Sequence, residues 1–157
     1  MDIVTLLSTD RIIFEAEVSS TKRAFELLSE RLCHDTHISE LSVDNVFDAL
    51  VSREKLGSTT LGNGIAIPHA CIEISEPRAA LLALEEGLDI DTPDKKPVHV
   101  MLALLVPRNN SDIYRPLLAE LTASINRRDL VQQIIQYQDA RLTLDFLSSL
   151  FIRDMAA

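Results

Sequence analysis

The stretch Gly62-Asn63-Gly64-Ile65-Ala66-Ile67-Pro68-His69 decides how the chain folds. It separates a part with predicted amphipathic helices from a part with predicted strands followed by helices. It overlaps the segment 57–64, which holds three of the four glycines of the chain. The short apolar run after these glycines predicts a buried strand. Pro68 has no N–H and favours an extended conformation in the residue before it. We therefore expect this strand to stop at Pro68 and to present His69 at its C-terminal edge.

Amphipathic helices are predicted before this stretch. Ser20 can cap a first helix, because apolar residues recur at helical spacing after it. Ser42 can cap a second helix, which should end near Lys55 because Gly57 follows. A short strand or an extended entry segment is expected at 12–18, ahead of both helices.

Strands and then helices are predicted after the stretch. Apolar runs at 79–84 and 98–106 predict two strands, and the second run is continuous enough to be covered on both faces. Three amphipathic stripes, which begin at Tyr114, Leu130 and Leu142, predict a helical C-terminal third. This pattern predicts a single α/β domain over residues 1–157, a sandwich with a mixed, mostly parallel β-sheet flanked by α-helices.

Length and charge limit the possible function classes. The 157 residues suit one globular domain, and the 46% of hydrophobic residues argue against disorder. The net charge of −9 and the lack of a basic stripe disfavour nucleic acids and anionic membrane surfaces as partners. The longest apolar run, 100–106, is too short for a bilayer, and the first residues lack a secretory signal. A cytoplasmic protein without direct membrane insertion is expected.

The segment 57–69 contains the residue types that phosphate chemistry needs. Glycine lets backbone N–H groups approach an anion closely, and the neighbouring hydroxyl and amide side chains add neutral donors. The predicted phosphate-binding residues are Ser58, Thr59, Thr60, Asn63 and Gly64. A neutral imidazole at His69 can attack phosphorus, and Arg53 can pair with two oxygens of the transferred group. The alternative is a loop whose glycines only make turns and whose histidine is a surface residue.

The remaining cysteines and histidines are given structural interpretations. Cys33 and Cys71 form no disulfide or metal motif, and we expect both to be small buried apolar residues in a reducing compartment. Cys33, His34 and His37 can be read as a metal cluster, but a solvated helix end is the favoured interpretation. His99 is expected at the polar start of a strand. No metal and no organic cofactor is predicted.

Residues 62–69 resemble the active-site signature of the type 2 EIIA domains of the bacterial phosphoenolpyruvate-dependent phosphotransferase system. This group includes fructose, mannitol and nitrogen-regulatory proteins. Residues 53–59 resemble the approach to that site, and residues 87–98 and 102–107 resemble a later strand region of the family. The likeness therefore covers nearly the whole chain.

The resemblance implies a small α/β phosphotransferase domain and assigns roles to two residues. His69 would accept a phosphoryl group on Nε2 from an HPr/NPr-like phosphocarrier protein, and Arg53 would help to bind that group. Such transfer needs positioning and charge stabilisation more than covalent machinery, in agreement with the chemistry argued from the residues alone.

The chain departs from the family pattern at one position. Many members carry a second active-site histidine in a His-Leu-x-x-Leu context, where this chain has Tyr114-Arg115-Pro116-Leu117-Leu118. A phenol donates a hydrogen bond but does not normally take a charge as imidazole does. Tyr114 is therefore a candidate substitute at the second site, or else a helix-end residue with its hydroxyl in solvent. Pro116 is expected in the first turn of the helix.

The resemblance leaves two functions open. A nitrogen-regulatory member would signal to target proteins, such as transporters and kinases, by phosphorylation-dependent docking. A sugar-specific member would pass phosphate to a separate IIB domain during sugar uptake. Because 157 residues leave no room for a fused IIB or membrane domain, we favour the regulatory function and expect the chain to act on separate partners.

Overall fold

Helices precede and follow a run of five consecutive strands in the part of the chain that the structure describes. The computed structural model describes residues 3–34 and 41–156, with the backbone alone for 152–156. The helices are α1 (Ile3–Leu6), α2 (Thr21–Leu32), α3 (Val43–Leu56), α4 (Ser111–Ile125), α5 (Leu130–Tyr137) and α6 (Ala140–Ala156). The strands are β1 (Ile12–Glu15), β2 (Thr60–Gly62), β3 (Ile65–Ala66), β4 (His69–Ile72), β5 (Arg78–Leu88) and β6 (Val98–Pro107). His37 lies outside the described residues.

The strands form one mixed sheet in the order β1-β5-β6-β3-β2, and β4 also pairs with β6. The β1–β5, β3–β6 and β4–β6 pairs are parallel, whereas the β5–β6 and β2–β3 pairs are antiparallel. Helices flank this sheet, and three of the five described pairings are parallel. The predicted α/β sandwich is confirmed.

Two hydrophobic cores lie on opposite faces of the sheet. In β6, Leu102 and Leu104 belong to the core that contains α1 and α4–α6, which we call the α4–α6 core. Ala103 and Leu105 belong to the other, the α2–α3 core. Successive side chains of a strand point to opposite faces, so β6 contributes to both cores. The prediction that this strand is covered on both faces is confirmed.

The predicted caps fix the start of the two N-terminal amphipathic helices. The side-chain oxygens of Ser20 and Ser42 each accept a hydrogen bond, at 3.1 Å, from the backbone N–H three residues further on. The α3 helix ends at Leu56 and Gly57 follows, one residue beyond the predicted end at Lys55. This local agreement matters because the last turn of α3 carries Arg53.

The main chain continues alongside β6 past Pro68, although β3 itself ends at Ala66. The partners in β6 lie 35 positions further along the chain on both sides of this residue, so the register is unchanged across it. Pro68 lacks a donor but keeps its carbonyl, which accepts the N–H of Leu104 at 2.9 Å. The strand therefore ends before Pro68, as predicted, but His69 begins a new strand, β4, in the same register along β6.

Two further positions differ in detail from the expectation. Asn63 and Gly64 form the turn of the β2–β3 hairpin, with φ of 55° and 78°. Positive φ at both central residues is what a type I′ turn requires. Pro116 lies inside α4 and not in its first turn. Because it has no N–H, the carbonyl of Asp112 lacks its usual helical donor.

Candidate active site

His69 occupies the first position of β4, at an edge of the sheet. Ala70 and Ile72 are buried in the α2–α3 core, so His69 and Cys71 face the opposite side. Among the described strands, β4 pairs with β6 alone. His69 is half-buried there, which leaves part of its ring accessible to a partner.

A backbone contact fixes the chemical state of the His69 ring. Its Nδ1 lies 2.8 Å from the carbonyl oxygen of Ile67. A carbonyl oxygen can only accept a hydrogen bond, so Nδ1 carries the proton in the neutral ring. Nε2 then holds the free lone pair and is the nucleophilic atom.

An open cleft of about 630 Å³ contains His69 and lies between α3 and α4. Arg53, His69 and Tyr114, which are far apart in the sequence, all line this cleft. The structure therefore brings together the predicted acceptor, the predicted cation and the candidate substitute for a second histidine. Arg108 and Arg115 line the same cleft and were missed by the sequence analysis. The sequence offered a signal for Arg115, which falls in the stretch that departs from the family pattern, and none for Arg108.

Arg53 is held in position by the end of its own helix. Its Nη1 donates to the carbonyl of Gly57 at 2.9 Å. The guanidinium therefore stays near the C-terminus of α3, where a positive charge is favourable. The donors that this contact does not use remain available for an anion in the cleft.

Residues 58–60 form hydrogen bonds with one another and with α3. The N–H and hydroxyl of Thr59 donate to the carboxylate of Glu54 at 3.0 and 2.6 Å. The hydroxyl oxygens of Ser58 and Thr60 lie 2.7 Å apart. None of the three predicted phosphate-binding residues in this segment lines the His69 cleft. Their contacts instead hold the chain against the helix that carries Arg53.

Asn63 and Gly64 line a different cleft, of about 810 Å³, together with His99. The N–H of Asn63 donates to the carboxylate of Asp94 at 2.9 Å. His69 lies six positions after Asn63 along nearly extended chain, which spans about 20 Å. The prediction that this turn binds a phosphoryl group on His69 is corrected, because its residues form a hairpin at a distance from that site.

Asp94, in the loop after β5, holds the hairpin turn through its hydrogen bond with Asn63. The pKa of the Asp94 carboxyl is lowered, mainly because the carboxylate accepts a hydrogen bond from the backbone N–H of Asn63. The N–H of Lys96 and the hydroxyl of Thr92 make smaller contributions. His99 is half-buried in the same cleft, and its Nδ1 lies 2.9 Å from the carbonyl oxygen of Leu84. This cleft is built from the glycine-rich turn but does not contain His69.

The cysteines differ from the expectation of two buried residues. Cys33 is half-buried, and burial raises the pKa of its thiol. Cys71 is exposed, because β4 lies at a sheet edge beside the His69 cleft. Within residues 3–34 and 41–156, no three His, Cys, Asp or Glu side chains are grouped closely enough to hold a metal ion. No helix in the described ranges combines the length and the hydrophobicity that crossing a bilayer requires.

Comparisons with known proteins point to one family. The family model described as "Phosphoenolpyruvate-dependent sugar phosphotransferase system, EIIA 2" matches residues 5–149. A "Nitrogen regulatory protein homolog" from Haemophilus influenzae is 35% identical over 137 residues, which cover 85% of this chain and 83% of that protein. A "PTS system fructose-specific EIIA component" from Haloferax volcanii is 28% identical over 94% of this chain and 95% of its own length.

A solved structure agrees with this result. The crystal structure of nitrogen regulatory protein IIA-Ntr from Neisseria meningitidis superposes with a TM-score of 0.83 at 33% identity. The match covers 92% of this chain and 98% of that chain. Fold, sequence signature and family model agree over most of the length. The chain therefore belongs to the type 2 EIIA family of the phosphoenolpyruvate-dependent sugar phosphotransferase system.

Proposed function

We propose that this chain is a regulatory phosphoryl carrier, which accepts a phosphoryl group on His69 from an HPr/NPr-like phosphocarrier protein. The observation that carries the proposal is the orientation of His69. The Ile67 carbonyl accepts a hydrogen bond from Nδ1–H and leaves the Nε2 lone pair free, in a cleft that also contains Arg53. Membership of the EIIA family supports the reaction, and relatives named nitrogen regulatory proteins support the regulatory role.

The transfer step follows from these contacts. The lone pair of His69 Nε2 forms the new N–P bond while the N–P bond of the donor imidazole breaks, and the donor nitrogen keeps that electron pair. The His69 ring becomes positively charged, and the Ile67 carbonyl stabilises this charge through the Nδ1–H. The guanidinium of Arg53 stabilises the negative charge on the oxygens of the phosphoryl group during transfer.

The regulatory output follows from the added charge. A phosphoryl group brings a charge of about −2 and three acceptor oxygens to the cleft between α3 and α4. A target protein that binds this surface of the unmodified chain would be repelled by the phosphoryl charge, or would gain hydrogen bonds to it, once His69 is phosphorylated. The partners of the unmodified and phosphorylated chains should therefore differ.

Mass spectrometry after incubation with phosphoenolpyruvate and the general phosphotransferase proteins tests the carrier role. The wild-type chain should gain one phosphoryl group, and His69→Ala should gain none. His99→Ala is the matched control and should be labelled normally, because His99 lies in the other cleft. An unlabelled wild type, or undiminished labelling of His69→Ala, would refute the proposal.

Two further experiments separate the regulatory function from the sugar-specific one. Pull-downs with unmodified and phosphorylated protein should capture different target proteins, and identical sets would exclude the proposed switch. The Haloferax volcanii relative is named as a fructose-specific component, and this supports sugar uptake as the alternative function. Efficient transfer from His69 to one particular IIB domain would favour that alternative.

A further inference from the structure

Two arginines outside the signature line the His69 cleft. Arg108 directly follows β6, and Arg115 lies on α4, whereas Arg53 comes from α3. Three guanidinium groups thus border the cleft from three elements, against one carboxylate, that of Asp48. In a chain with a net charge of −9, the lining of this cleft thus contains more guanidinium groups than carboxylates.

The positions of these arginines follow from the elements that carry them. In the register of the sheet, His69 pairs with Leu104, so Arg108 lies just beyond the end of the strand that supports the acceptor. Arg115 follows Tyr114 on α4, and both line the cleft. Tyr114 offers only a neutral hydroxyl, so neutralising an anion here depends on the guanidinium groups.

The present contacts of both arginines are exposed and easily exchanged. Arg108 Nη1 lies 3.7 Å from a carboxylate oxygen of Glu73, with side chains 61% and 75% exposed. Arg115 Nε lies 3.3 Å from a carboxylate oxygen of Asp112, with side chains 82% and 85% exposed. Exposed ion pairs of this kind contribute little to stability. A phosphoryl group, with its greater charge and three oxygens, can compete for these guanidinium groups.

We propose that Arg108 and Arg115 complete, with Arg53, an anion site that binds the phosphoryl group as it transfers to His69 and after transfer. The inference rests on the proposed function and adds two phosphoryl-binding residues to it. The N–P bond exchange is unchanged, and the arginines neutralise the equatorial oxygens without giving up a proton.

The rate of His69 labelling tests the inference. Arg108→Gln and Arg115→Gln should each slow labelling roughly tenfold, since a hydrogen bond to a charged group is lost. Arg115→Lys should retain part of the rate, because it keeps the charge but loses the fork geometry. Arg141→Gln is the matched control and should leave the rate unchanged. It removes an exposed intrahelical pair, Arg141 with Asp145 at 3.5 Å, outside the cleft.

A small phosphoryl donor separates phosphoryl binding from partner docking. With phosphoramidate as the donor, both glutamine variants should again be slower than wild type. Slowing confined to the protein donor would mean that the arginines serve docking, which overturns the inference. Flat rates in every variant would overturn it as well.

Titration with inorganic phosphate keeps the inference testable if the proposed function fails. The NMR signals of the His69 ring should shift saturably in the unphosphorylated wild type. Roughly tenfold more phosphate should be needed in Arg108→Gln and in Arg115→Gln. Equal affinity in all three proteins would overturn the anion site. A wild type that no donor labels would instead refute the proposed function.

Discussion

A backbone carbonyl, and not a second side chain, sets which ring nitrogen of His69 carries the proton in the neutral form. The choice of His69 and Arg53 as candidate site residues could be predicted, because both residue types carry their chemistry in the sequence. The contact between Nδ1 and the Ile67 carbonyl could not, since every residue except proline has the same main-chain groups. Arg108 and Arg115 were missed for a related reason. Their approach to the cleft depends on the packing of α4 and β6 and on no local motif.

The carboxyl of Asp94 makes an acid-sensitive contact. Its pKa is lowered in the folded protein, mainly by the backbone N–H of Asn63. Its stabilising contribution is therefore present above the unfolded-state pKa of about 3.9 and is lost as the pH falls through the lower folded value. Wild type should be more stable to urea than Asp94→Asn at about pH 7, and this advantage should shrink towards about pH 3. An advantage that did not change with pH would contradict this explanation.

The secondary-structure elements were predicted well where hydrophobic spacing defines them. Both capped helices and the long buried strand agree with the structure, because amphipathic period and cap chemistry are local properties. The segment around Gly64 was harder to interpret. An Asn-Gly pair with neighbouring hydroxyl residues suits an anion-binding loop and a type I′ hairpin equally well. Only the pairing of β2 with β3 and the contact with Asp94 distinguish these possibilities.

Two glycine substitutions test the role of the hairpin turn. Gly64 has a φ of 78°, and a Cβ there would lie 3.1 Å from Val131 Cγ2. Gly64→Ala should therefore lower the free energy of unfolding by roughly 1–3 kcal/mol, through backbone strain and crowding against α5. Gly57 has extended backbone and nothing within 4 Å of an added Cβ, so Gly57→Ala is the control and should be nearly neutral. Urea denaturation measures both effects, and equal losses would argue against the turn assignment.

On the scale of the whole molecule, the sheet joins two cores that sequence patterns could not connect. Strand β6 contributes alternate side chains to both cores, and β5 pairs with it along most of its length. The α/β sandwich could be predicted, because the sequence patterns indicate both buried strands and amphipathic helices. The position of Arg53, His69 and Tyr114 in one cleft could not be predicted, because it depends on how α3 and α4 pack around the edge of the sheet. Neither core can open without exposing the shared strands.

We therefore predict that the chain unfolds as one cooperative unit, as expected for a single domain. Tyr114 and Tyr137 are half-buried beside the α4–α6 core, so tyrosine fluorescence reports on that side. Cys33 is half-buried and packs against the α2–α3 core, and burial raises the pKa of its thiol, which slows its reaction while that side is folded. In a Cys71→Ser background, Cys33 is the remaining thiol of the chain.

The two signals should change at the same urea concentration in that background, because both cores depend on β5 and β6. Far-UV circular dichroism, which reports on all helices and strands together, should give the same midpoint. Thiol reaction of Cys33 at a lower urea concentration than the fluorescence change would mean that the α2–α3 side unfolds separately. That result would refute the single cooperative unit, although the sheet joins both sides in the folded protein.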